Sequence, residues 1–223
     1  MLSRRAELLF YACASPAMRL NGVLYRHFRR PSPESFVRSH LGPGQRKYLP
    51  GWINIDANIF TSKRDVWADL RNPLPFPDDS VDAFYSHHMV EHLPDLAGHF
   101  RELYRCLKPG GAFRVTGPNG DMAIRKFIDA DASWFGEYPD RRTSVGGRLD
   151  NFILCRGEHI AILTESYLKE LVVSAGFRDP TFPLVARETS HPELFDEVLE
   201  TEAEEAGPEA FPKTIVAEGV KPS

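Results

Sequence analysis

The sequence predicts an α/β protein built on a doubly wound, mostly parallel sheet, and two stretches carry that prediction. In the first, an apolar run ending at Leu41 breaks into Gly42-Pro43-Gly44, and a second run stops on the carboxylate of Asp56. In the second, the strand-like Ala83-Phe84-Tyr85 leads to a segment with Leu96, Phe100, Leu103, Tyr104 and Leu107 at helical spacing. Lys108-Pro109-Gly110-Gly111 stops that helix, and residues 112–116 make the next strand. Strands alternating with helices, punctuated by glycine and proline, point to crossover-connected parallel strands.

The remaining elements follow along the chain. Arginines 4, 5, 19, 26, 29 and 30 face only Glu7 in the first thirty residues. Leu8, Leu9 and Ala12, then Met18, Leu20, Val23 and Leu24, suit one or two short helices broken at Pro16. Residues 1–33 are therefore expected to be a helical extension, ending in the linker Arg30-Pro31-Ser32-Pro33 and packed against a domain spanning 34–223. A peripheral hold on an anionic membrane or a partner surface is the alternative for this basic segment. Ser3-Arg4-Arg5 before an apolar run superficially suggests an export signal, but the run is short and Glu7 sits at its entrance. Residues 36–41 read as strand one, although Arg38 and His40 stand where a buried parallel strand should be apolar. Residues 64–70 read as a strand ending on Asp69.

Residues 118–157 are neither helical nor alternating for long, and read as an insertion. Arginines 125, 141, 142, 148 and 156 could hold an anion there. Asp129, Asp131, Glu137, Asp140 and Asp150 nearly balance them, which favours a solvated, internally paired surface. Thr164 caps a helix with Leu168, Leu171, Val172 and Ala175 on one face, closed by Gly176. Residues 177–186 and 214–218 supply the last two strands. The acidic stretch 188–209 between them holds no Lys or Arg and reads as an exposed, partly helical connection.

Composition bounds the class. The chain has 223 residues, 42% hydrophobic and 26% charged, with a formal net charge of −4 and a pI near 6.1. One substantial core is expected, and a general nucleic-acid binder is not. Cys13, Cys106 and Cys155 form no CxxC pair, so a reducing cytoplasm is the simplest compartment. No apolar run is long enough to span a membrane.

The chemistry lies at the strand ends. Ligands of open α/β sheets sit beyond the carboxyl ends of the strands, where glycines admit close backbone approach and a carboxylate can hold a ribose diol. Gly42, Pro43, Gly44 and Asp56 thus describe a nucleoside-cofactor site. A dinucleotide site wants a third glycine and a phosphate-binding helix, with its acidic residue ~20 positions on. Here Gln45, Arg46 and Lys47 follow Gly44, and Asp56 comes after only about 12 residues, too few for several helical turns plus a strand. That spacing excludes a nicotinamide oxidoreductase and favours a cofactor without phosphates, such as S-adenosylmethionine.

The segment DLRNPLPFPDDSVDAFYSHHMVEHL, residues 69–93, followed by LYRCLKPGG, residues 103–111, resembles the class I S-adenosylmethionine-dependent methyltransferases of the small-molecule group. The resemblance covers roughly residues 40–118, and more loosely 158–177. It implies a Rossmann-like, seven-stranded sheet with an antiparallel last strand, and S-adenosyl-L-methionine as cofactor. It places Asp69 at the adenine edge with the Leu70 amide beside a ring nitrogen, and Ser86 at the end of strand four. The insertion would then be a cap on the acceptor side. The shortened first helix departs from the family and leaves the cofactor carboxylate to Arg46 or Lys47.

The reaction expected is methyl transfer to a small molecule or glycan precursor, with O-methylation foremost. A hydroxyl acceptor needs a base, for which His159, His87 and His88 are the candidates, with Asp121 behind them. His88, Glu91 and His92 could converge on a metal if helical. VEHL-type sequences are common in the resemblance group without one, so no metal is assigned. The alternative is a non-catalytic binding or scaffolding protein that keeps the sheet; an absent acceptor cavity would favour it.

Overall fold

The computed structural model of the protein describes residues 4–29, 32, 34–45, 47–60, 62–203 and 212–223. In chain order the elements are α1 (Arg4–Phe28), β1 (Arg38–Leu41), β2 (Ile53–Asp56), β3 (Val66–Trp67), β4 (Val81–His87) and a 3₁₀ turn at Val90–His92. There follow α2 (Leu96–Cys106), β5 (Leu107–Pro118), α3 (Gly120–Ile128), α4 (Val145–Leu154), α5 (Glu165–Ser174) and β6 (Arg178–Thr181). Two short helices, α6 (Pro192–Phe195) and α7 (Leu199–Glu202), precede β7 (Thr214–Val220). The strands form one sheet in the order β3-β2-β1-β4-β5-β7-β6. The first five in that order pair in parallel, and β7 runs antiparallel to both neighbours. Strand order reverses between β1 and β4, which opens a crevice beyond their carboxyl ends.

Apolar side chains from both layers close the core. Leu41, Ile55, Phe84 and Phe113 on the strands meet Phe100 and Leu103 of α2 and Leu168 and Val172 of α5. Asp95 starts α2 by accepting the Gly98 amide at 2.7 Å, and Thr164 does the same for α5 through the Tyr167 amide. Both caps relieve helix amides that would otherwise lack partners.

Several expectations need correction. α1 runs unbroken through Pro16; both Pro16 and Ala12, whose carbonyl loses its helical partner, face solvent, where water can serve that oxygen. It packs by burying Met18, donating Asn21 to the Trp67 carbonyl at 2.8 Å, and setting Tyr25 against Phe76. Met1–Ser3 and linker positions Arg30, Pro31 and Pro33 lie outside the described residues. β1 begins at Arg38, leaving Phe36 exposed. β3 is two residues long and ends before Asp69, β5 begins earlier and ends later than expected, and β6 stops at Thr181.

The insertion is more regular than its sequence suggested. α3 starts at Asn119, whose side chain accepts the Met122 amide at 3.0 Å. α4 starts at Ser144, which accepts the Gly147 amide at 3.1 Å. Ala123, Trp134 and Phe135 form a small core of their own with Leu149 and Phe152. Several of its charges are internally engaged: Arg141 with Glu137, and Arg142 and Arg156 with Asp140. Arg148 donates to the backbone carbonyls of Ala132 and Phe135.

The acidic stretch is not simply an exposed connection. Phe195 and Val198 are fully buried against Trp52, Ala83, Tyr85 and Ala112, covering the sheet face opposite α2. Glu197 pairs with Arg38, whose guanidinium lies 4.9 Å from the Trp52 ring centroid. That explains a charged residue in β1. His40 is buried beside Tyr85 and bonds Asn54 at 3.3 Å. Burial pushes its pKa down to about 3, against the opposing bond from Asn54, so it serves the strand as a neutral polar residue.

Candidate functional site

The crevice between β1 and β4 is where the predicted glycine turn and the predicted carboxylate meet. Parallel pairing of β1 with β2 is extended by the Gly42 amide, which donates to the Ile55 carbonyl at 2.9 Å. Gly42 has φ +71°, and a Cβ there would lie 2.5 Å from Met89 Cγ. Only glycine fits that position. Two residues on, the Gly44 amide donates to Asp56 Oδ2 at 3.0 Å, while the Asn58 amide donates to Oδ1 at 2.8 Å. Each oxygen is thus aimed by one backbone donor and retains a lone pair. Asp56, 9% exposed, lines a cavity of ≈ 560 Å³ with Gly42, Gly44, Tyr11, Asn58 and Met89. Two carboxylate lone pairs beside a turn with glycine at both ends fit the vicinal hydroxyls of a ribose.

The other cofactor candidates are distributed differently. Asp69 is buried and held by Arg71, with Nη2 to Oδ2 at 2.7 Å; it does not line this cavity. Leu70 lines a separate hollow of ≈ 290 Å³ with Arg71, Pro94 and His99. Ser86 is fully buried at the end of β4, opposite Leu41. Pro43 is buried within the turn. Arg46 lies outside the described residues, and Lys47 does not line the cavity.

A second cavity, ≈ 340 Å³, lies under the insertion and is lined by Glu91, Pro118, Tyr138, Phe152, His159 and Lys213 among others. His88, His92 and Glu158 line both cavities. His88 has φ +50°, an uncommon backbone state for a residue with a side chain. Its Nδ1 lies 3.1 Å from Glu91 Oε1 and its Nε2 3.0 Å from Thr214 Oγ1. Three left-handed residues in a row, Cys155, Arg156 and Gly157, turn the chain out of α4. They bring Glu158 and His159 against the 3₁₀ turn, where the Ile160 amide donates to the Glu91 carbonyl at 2.9 Å.

Electrostatics at this junction are those of a buried carboxylate among imidazoles. Burial works to raise the Glu91 pKa, but the hydrogen bond to His88 and the nearby His88 and His92 outweigh it and hold it low. Burial lowers the His159 pKa, opposed by Glu91 and reinforced by His92 and His88, which favours a neutral imidazole. His87 stands apart: it bonds Thr116 at 2.8 Å inside the sheet and lines neither cavity. Asp121 accepts the Glu165 amide at 2.8 Å at the start of α5. The sequence marks Glu91 only as a potential metal ligand with His88 and His92, it carries no signal for Glu158, and Tyr11 reaches its place from α1 with no local signal.

Residues 55–115 match the protein family described as Methyltransferase domain. Solved structures share the architecture over nearly the whole chain. An S-adenosylmethionine-dependent methyltransferase from Archaeoglobus fulgidus aligns with TM-score 0.53 at 17% identity, covering 96% of this chain and 99% of that one. A Thermotoga maritima structure described as a possible histamine N-methyltransferase gives 0.52 at 16% identity, covering 97% and 95%. The fold is that of the class I S-adenosylmethionine-dependent methyltransferases. The sequence matches, by contrast, are short. A sterol 24-C-methyltransferase of Aspergillus fumigatus is 50% identical over 42 residues, 19% of this chain and 11% of that protein. A probable S-adenosylmethionine-dependent methyltransferase of Mycolicibacterium smegmatis is 48% identical over 46 residues, 21% of this chain and 18% of that protein. The family match stops at residue 115, before the insertion begins, so the cavity under the insertion is read from its own residues.

Proposed function

We propose that this protein transfers the methyl group of S-adenosylmethionine to a hydroxyl of a small molecule or glycan precursor held beneath the cap. One observation carries the proposal: a cavity with a diol-binding carboxylate and a cavity lined by imidazoles meet at His88, His92 and Glu158. When bound, S-adenosylmethionine supplies an electrophilic methyl on a sulfonium, so the chain's part is mainly to position an acceptor in line with it. Asp56 and the Gly42–Gly44 turn bind the nucleoside. Phe152 and Tyr138 line the space offered to the acceptor. Activation of the acceptor oxygen belongs to the Glu91, His92 and His159 cluster. A cavity on the acceptor side speaks for an enzyme over a scaffold.

The test is thermal. A ligand bound only by the folded protein at about a hundred times its Kd adds ~2.7 kcal/mol, which for a chain of this length is a Tm rise of roughly 5–10 °C. S-adenosylmethionine and S-adenosylhomocysteine should each give that rise, and NAD and FAD none. A response to NAD with silence from both adenosyl compounds would overturn the proposal.

A further inference from the structure

We propose that Glu91, His92 and His159 form a binding site for a divalent first-row transition cation, Zn²⁺ foremost, opening into the cavity beneath the cap. Their ligand atoms all lie within 4.8 Å of one another. Zinc–ligand bonds of about 2.0–2.2 Å place tetrahedral donors roughly 3.5 Å apart, so small rotations of three side chains complete the set. Nothing in the sequence makes this triad. His159 is 67 positions beyond His92 and arrives only because the left-handed run at Cys155, Arg156 and Gly157 folds the cap's exit back.

Two further observations point to a ligand there. The Glu91 side chain is 0% exposed, and its Oε2 has no hydrogen-bond partner among the described residues. A buried oxygen left without a partner is unfavourable by about 1–3 kcal/mol, and a bound cation would supply that partner. The tautomer of His92 is also set. Its Nδ1 lies 2.9 Å from the Glu158 carbonyl, which can only accept, so Nδ1 carries the proton and Nε2 presents a lone pair. A metal-binding imidazole commonly donates its other nitrogen to a carbonyl in this way. His88, at 3.1 Å from Glu91 Oε1, orients the carboxylate from behind.

Two imidazoles and a carboxylate make a three-ligand zinc set that leaves a fourth position for a substrate oxygen. Pro118, Tyr138 and Phe152 line the same cavity as the three ligands. A role for the cation in holding an acceptor oxygen rests on the proposed methyl transfer; the cation site itself does not.

The experiment therefore uses neither cofactor nor acceptor. The full chain is stripped with EDTA, dialysed, and titrated with Zn²⁺ by calorimetry and with Co²⁺ by visible absorption. One ion per chain is expected, with a Co²⁺ spectrum of low coordination number. His92→Ala and His159→Ala should each weaken binding at least 100-fold with Tm nearly unchanged, since neither side chain is fully buried. Glu91→Gln should act in the same direction; should it fail to fold, the two histidine variants decide. His191→Ala, on the acidic segment, should bind as wild type. Absence of saturable one-to-one binding of either ion, or equal affinity in wild type, His92→Ala and His159→Ala, overturns the site.

Discussion

Arg114 and Glu202 face each other with both side chains fully buried, Nη2 to Oε2 at 2.6 Å. Glu218 takes the other side of the guanidinium at 2.5 Å, so one cation in β5 anchors an acidic helix and a neighbouring strand. Glu202 Oε2 also accepts the Ala186 amide at 2.9 Å. The pair pins the acidic segment over the sheet face opposite α2 and so fixes the floor from which β4 and β5 present the site. Removing one partner of such a pair leaves an uncompensated buried charge, at about 3–5 kcal/mol. Glu202→Ala should lower unfolding free energy by that order in urea. Arg114→Met, Glu202→Leu and Glu218→Gln together should recover much of it, since no buried charge is then left without its partner. A single-variant loss below about 1 kcal/mol would show that Glu218 alone satisfies the guanidinium.

Asp56 should matter to the cofactor more than to the fold. Its two oxygens are already oriented by Gly44 and Asn58, so little reorganisation is needed on binding. Asp56→Ala should weaken S-adenosylhomocysteine binding by about 1.5–3 kcal/mol, the range for a hydrogen bond to a charged group. Calorimetry reads this as roughly a 10- to 150-fold higher Kd. An unchanged Kd would remove Asp56 from the site.

Mild acid should destabilise the protein through its buried histidines. Burial pushes His99 down to about 4, against Glu102 and Asp95, and His40 to about 3. Both lie below the unfolded value near 6.5, so the unfolded chain binds more protons in that interval. Their stabilising share is complete above pH 6.5 and is lost as pH falls towards those folded values. Between pH 6.5 and 5 each should remove up to about 2 kcal/mol, with His159 adding in the same direction. Urea midpoints at pH 7.5 and 5 measure the fall, and His99→Leu should reduce it by nearly half. Equal midpoints at the two pH values would mean that these rings titrate normally.

How much of this was legible in the sequence depended on whether the physics was local. The Gly42–Gly44 turn, Asp56 and the α2 face declared themselves because glycine, a strand-ending carboxylate and helical spacing are properties of neighbours in the chain. The cap helices did not, because α4 opens on Val145-Gly146-Gly147, and paired glycines disfavour the helix that Ser144 nonetheless caps. The acidic segment read as exposed because its countercharge, Arg114, sits 88 residues away inside a strand. His159 was a candidate by residue type, but its meeting with Glu91 is made by a run of left-handed backbone that sequence did not announce.

The cap's aromatics divide into two kinds, and their substitution should separate acceptor binding from stability. Trp134 is 6% exposed and packs on Phe135 and Phe152, with ring centroids 5.0 and 5.1 Å away. Trp134→Ala empties the cap's own core and should lower stability by about 3–5 kcal/mol. Tyr138 is 77% exposed yet lines the cavity shared with Glu91 and His159. Tyr138→Ala should leave Tm and S-adenosylhomocysteine affinity unchanged while raising KM for the acceptor, because it touches neither the cap core nor the Asp56 cavity. Loss of cofactor affinity in the Tyr138 variant would place that ring in the nucleoside site, and a fall in Tm would return it to the core.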